Sequence, residues 1–160
     1  MVKVYNRSDG NVVYTLPELN IRRVFNPGET KEIEYSELEA LFQTDGGHDL
    51  IVGYLLVDDK EWVDKHWDAP IEYFWYPEQV KACVMEDPID LFEETLDYAP
   101  DGVIDLIKMY SWKVPLTDLN KIKLIKDKLG FDVLAAVEFM KSTPAAERRP
   151  DPTQRRRREG

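Results

Sequence analysis

A chain of 160 residues with 43% hydrophobic and 32% charged residues holds one domain or two small modules sharing a core, with enough length to bury it without staples. One cysteine, Cys83, excludes an internal disulfide framework and a cysteine-based zinc site, and two histidines leave little for metal or acid–base chemistry. The net charge of −10 is uneven: residues 1–57 carry −4, residues 58–105 carry −12, residues 106–146 carry +3, and Glu147 to Gly160 carry +3. So acidic a body argues against a protein that coats nucleic acid, because like charge repels phosphate.

Taken in chain order, the first third reads as strands. Met1 to Asn6 alternates, Ser8-Asp9-Gly10-Asn11 is turn chemistry, and Asn11 to Leu16 is β-branched and aromatic, so the two runs predict a hairpin. Asn20 to Phe25 predicts a third strand, and Asn26-Pro27-Gly28-Glu29 a type II turn into a fourth over Thr30 to Tyr35. Ser36-Glu37-Leu38-Glu39 has the spacing of a capping box and opens a short helix through Gln43, ended by Gly46 and Gly47. The nearly continuous apolar run Leu50 to Val57 predicts a buried strand.

The middle is aromatic and acidic. Asp58 to Asp68 predicts a helix stopped by Pro70, and Pro77 starts another through Met85. The last third predicts helices: one capped by Asp87 with Pro88 at its first position, one from Val103 that ends before Pro115, one capped by Thr117 and ended by Gly130, and one over Phe131 to Met140. From Thr143 the chain has no apolar residue beyond two alanines and reads as a disordered, arginine-rich tail. The fold class is α+β: a small antiparallel sheet or partial barrel with one short helix, then a helical bundle. The division is a β-rich module over 1–57, an aromatic acidic connecting segment over 58–86, a helical module over 87–142 and the tail over 143–160.

Candidate chemistry is sparse. Asp64, His66 and Asp68 share a face on a strand, where they could hold a divalent ion, but a helix turns His66 away; the pattern favours helix and solvated surface. Cys83 has no flanking base motif and reads as a buried thiol. Adjacent carboxylates such as Asp58/Asp59 and Glu93/Glu94 read as solvated surface, since hydrolytic pairs must face one cleft. No phosphate-binding, nucleophile-elbow or zinc-protease motif occurs. No catalytic, cofactor-binding or metal-binding residue is assigned.

Two features suggest binding instead. Trp62, Trp67, Trp75 and Tyr76 lie in a dense aromatic block, and such residues anchor interfaces as well as cores. Lys121, Lys123, Lys126 and Lys128 line the outer part of one predicted helix, followed by Arg155, Arg156, Arg157 and Arg158, a pattern suited to a polyanion. The competing reading is core packing for the aromatic block, as most large aromatics serve packing, and a merely solvating tail for the arginines.

The opening VKVYNRSDGNVVYTLPELNIRRVFNPGETKEI, with an arginine pair before its turn, and the helical segment VPLTDLNKIKLIKDKLGFDVLAAVEFM resemble in style the small proteins of tailed bacteriophages. The resemblance implies a non-enzymatic structural or assembly role in a virion or the host cytoplasm. Its partners would be other virion proteins or copies of the chain itself, with nucleic acid reached through the tail. The absence of a bilayer-length apolar run and of an apolar leader gives the expectation of no membrane partner and no secretion. The alternative reading is an acidic regulatory or inhibitor protein whose segment 58–105 imitates nucleic-acid charge and fills a basic cleft.

Overall fold

The computed structural model describes residues 1–142. Alternation over β1 (Val2–Asn6) turns Val2, Val4 and Asn6 inward, and the strand occupies the centre of a three-stranded antiparallel sheet. On one side Val2 to Tyr5 pair with β4 (Thr30–Ile33), and on the other Val4 to Asn6 pair with β5 (Leu55–Val57). β2 (Val12–Leu16) pairs with β3 (Ile21–Phe25) in a separate antiparallel ribbon. The predicted β1–β2 hairpin therefore does not form. The reason lies in the side chain of Asn6. It donates to the carbonyls of Gly10, Phe25 and Asn26 at 2.8, 3.1 and 3.2 Å and accepts from Ser8 Oγ at 2.7 Å. These bonds bend the chain out of the sheet after β1 and leave both edges of β1 to β4 and β5.

The turn at Asn26–Glu29 closes as predicted, with Glu29 N donating to the Asn26 carbonyl at 3.0 Å. α1 (Tyr35–Phe42) starts without a side-chain cap, so the Ser36 capping box is not built. Instead Glu37, buried under the β2–β3 ribbon, takes Arg23 Nε and Nη2 at 3.0 and 2.8 Å and the Tyr14 hydroxyl at 2.5 Å. Gly46 and Gly47 do not end this helix; they lie within α2 (Asp45–Asp49), capped by Thr44. The predicted strand over Leu50 to Val57 survives only as β5, because Leu50–Tyr54 continues α2 as a π-helical turn. A continuous apolar run fits a buried helical turn as well as a strand.

α3 (Lys60–His66), capped by Asp59, packs on this first layer. A 3₁₀ turn at Ile71–Phe74 then leads to α4 (Pro77–Glu86), α5 (Ile89–Tyr98), α6 (Asp101–Lys113), α7 (Leu119–Leu129) and α8 (Val133–Ser142). α6 begins at Asp101 rather than Val103, and Asp118 rather than Thr117 caps α7. Gly130 ends α7 at φ 65°, where a side chain would be strained. The arrangement is α+β: small antiparallel sheets followed by a helical region.

Two apolar cores result. The first joins Val2 through Tyr73, including Trp62 and Val63. The second joins Val80 through Val133, with Trp75 packed against it. Residues 58–86 are thus not a connecting segment. Their first part completes the β-rich core, because α3 lies on α1, and their second part opens the helical core through Val80, Cys83 and Val84. The cores meet where α6 lies against the π-helical turn. A Cβ on Gly102 would stand 2.7 Å from the Gly53 carbonyl oxygen, closer than packing tolerates.

Candidate interaction surfaces

The aromatic block divides between the two cores rather than forming one patch. Trp62 is buried; its indole Nε1 donates to Glu39 Oε1 at 2.8 Å, and the same oxygen lies 2.8 Å from His66 Nε2. The His66 ring stacks on Trp62 at 3.8 Å, and Trp67 stacks on Phe42 at 5.6 Å. Trp62 is therefore a packing residue and not an exposed anchor, because α3 turns it onto α1. Trp67, Trp75 and Tyr76 are half-buried, Trp75 against the helical core and Tyr76 against the Tyr5 ring at 5.0 Å.

The same helix settles the carboxylate–histidine triplet. Asp64 accepts from Lys60 at 2.7 Å, His66 is engaged by Glu39 and Trp62, and Asp68 lies beyond the helix end. No group of three or more metal-ligating side chains comes together among the described residues. Burial pushes the Cys83 thiol up to about 12, and its Sγ lies 3.7 Å from Thr95 Oγ1 inside the helical core. At neutral pH it is a thiol and a poor nucleophile.

Arg7 carries no sequence signal of its role. Its residue is 1% exposed, and it forms no ion pair among the described residues. Nη1 donates to the carbonyls of Tyr73 and, at 3.1 Å, Trp75, while the guanidinium lies 5.3 Å from the centre of the Tyr73 ring. Nε and Nη2 have no hydrogen-bond partner among the described residues. Burial pulls its pKa down to about 10, so it remains charged at neutral pH. It holds the two carbonyls at the point where the chain passes from one core to the other.

The predicted basic stripe on α7 is broken by the fold. Lys121 is 3% exposed: its Nζ donates to the Val84 carbonyl at 2.9 Å and lies 5.2 Å from the centre of the Phe92 ring. It faces α4 and α5 and cannot meet a polyanion. Lys128 pairs with Asp97 of α5 at 2.6 Å. Lys123 and Lys126 remain on the outer face. Arg155, Arg156, Arg157 and Arg158, with the predicted tail, lie outside the described residues.

What sequence reasoning missed is a groove between α7 and α8. Its volume is about 430 Å³, and α7 supplies Leu119, Ile122, Lys123 and Lys126 while Asp132, Val133, Leu134, Ala135 and Glu138 form the other wall. Ile122 and Val133 form the buried floor, whereas Leu119 is 71% and Leu134 55% exposed. The charge is segregated: lysines stand on the α7 wall and carboxylates on the α8 wall. Leu119 belongs to the same helix as the buried Ile122 and Ile125, yet it is exposed. It stands in the first turn of α7, where Lys121 and not Leu119 is turned toward α5.

A second hollow of about 490 Å³ lies at the junction of the cores, between the π-helical turn and the start of α6, lined by Asp49, Val52, Gly53, Tyr54, Pro100 and Asp101. Burial, with the nearby Asp9 and Asp101 charges, raises the pKa of Asp105 on the adjoining face of α6. No helix among the described residues is long and apolar enough to cross a membrane. Compared with known proteins, the chain matches no family model, no curated protein and no solved structure.

Proposed function

We propose that the chain is a non-catalytic assembly protein whose helical half docks onto other proteins of a phage particle. The observation that supports this is the α7–α8 groove, with Leu119 and Leu134 exposed on its facing walls. Fully burying a leucine side chain is favourable by about 1.5–3 kcal/mol, so a partner that covers both gains substantially. The phage setting rests on the resemblance of residues 2–33 and 114–140. The arginines of residues 155–158 would add a contact to nucleic acid behind α8, dependent on salt through counterion release.

The test is sedimentation with assembled particles. The chain is expected in the particle fraction at fixed stoichiometry, and Leu134→Glu, an exposed change, is expected to leave that fraction without a change in melting temperature. A wild-type chain absent from particles at every stage of assembly would overturn the reading.

One observation favours the inhibitor reading: α5 presents Asp90, Glu93, Glu94 and Asp97 on its exposed face. On that reading, Glu93→Lys with Glu94→Lys abolishes binding to a soluble, basic nucleic-acid enzyme, and Leu134→Glu leaves it intact.

A further inference from the structure

We infer that the occupant of the α7–α8 groove is a second copy of this chain. The inference deepens the docking reading and rests on it. Its warrant is the layout of charge about the exposed leucines. Lys123 and Lys126 stand on one wall, Asp132 and Glu138 on the other. Lys126 reaches Asp132 at 3.8 Å, at the end where α7 turns into α8. Lys123 and Glu138 are exposed and make no ion pair among the described residues.

A two-fold axis along the groove lays α7 of each copy over α8 of the other. Lys123 of each copy then meets Glu138 of the other, and the second copy covers Leu119 toward one end of the groove and Leu134 toward the other. The face is complementary to itself, as an isologous contact requires. A two-fold axis across the groove sets lysine against lysine and is disfavoured. The chain's own C-terminal segment is a poor occupant, because residues 143–160 offer only two alanines to an apolar groove.

The contact is small, so the dimer is weak, in about the micromolar to millimolar range. Sedimentation equilibrium from about 10 micromolar to about 1 millimolar chain covers that range. The weight-average mass is expected to rise from 18.7 kDa toward twice that value. Leu134→Glu is expected to hold it at the monomer. Lys123→Glu and Glu138→Lys are each expected to weaken association by about tenfold, as like charges come to face one another. An equimolar mixture of these two variants is expected to associate like the wild type, because each wall then meets its opposite. Misfolding of either variant would not produce such a rescue, and a groove made for a foreign helix would not either.

A wild-type chain that stays monomeric throughout, or a mixture no better than its components, overturns the inference. A monomer that still loses particle binding on Leu134→Glu leaves the docking reading standing and removes only the second copy. A dimer that never enters particles removes the docking reading and keeps the dimer.

Discussion

At the scale of single residues, Glu37 makes the most sharply readable contribution. Burial pushes its carboxyl up, but the hydrogen bonds from Arg23 and Tyr14 outweigh that and hold it below the ordinary carboxylate value. Burial and the Glu37 carboxylate push the Tyr14 hydroxyl far up, so it remains a donor. A carboxyl whose folded pKa is depressed contributes stability above its unfolded pKa of about 4.3 and loses it as the pH falls through the folded value. Glu37→Gln keeps the shape and removes the charge, and is expected to cost about 1–3 kcal/mol at neutral pH. The difference from wild type in urea unfolding is expected to shrink as the pH drops below about 4. A difference that stays constant from neutral to strongly acid pH would show that the charge on Glu37 contributes nothing.

At the scale of elements, α7 shows how one helix divides lysines between opposite duties. Its 3.6-residue period puts Lys121 on the side of Ile122 and Ile125, against α4 and α5, and Lys123 on the outer face. The Lys121 ammonium satisfies a carbonyl in the last turn of α4, where the helix dipole also favours positive charge. Its methylene stem fills space as an apolar residue would. Lys121→Ala is therefore expected to lower stability by about 1–3 kcal/mol, from the lost packing and the orphaned carbonyl. Lys123→Ala is expected to fall within about 0.5 kcal/mol of wild type. Chemical denaturation of the two variants side by side checks this; equal effects would mean that Lys121 does not tie α7 to α4.

At the scale of the whole molecule, Arg7 is a polar tie at the passage between the two cores. It comes from the loop after β1 and binds the carbonyls of Tyr73 and Trp75, so it couples the first core to the chain as it enters the second. Removing it orphans both carbonyls and opens a cavity where the cores meet. Arg7→Ala is expected to cost about 2–4 kcal/mol and to separate the unfolding of the two cores. With Trp75 and Trp112 of the helical half replaced by Phe in both proteins, tryptophan fluorescence reports Trp62 and Trp67 of the first core and should then melt apart from the far-ultraviolet circular dichroism, which follows the helices. Arg7→Met restores volume without charge and is expected to recover part of the loss. Coincident transitions in Arg7→Ala would show that the cores are coupled without it.

By itself the sequence determined most of what is local. Alternation in Val2–Asn6 and Val12–Leu16, the Asn26–Glu29 turn, the Pro77 start and the Gly130 stop follow from the periods and preferences of a few neighbouring residues, and these hold in any tertiary context. The α+β class and the acidic middle follow from the same information. Tertiary structure decided which strand meets which, because pairing depends on which edge of β1 remains open once Asn6 has bent the chain away. It turned Leu50–Tyr54 into a π-helical turn and drew Trp62, Lys121 and Arg7 inward. It also made the α7–α8 groove, since an exposed leucine and a core leucine have the same side chain. Only the position of the neighbouring helix tells them apart.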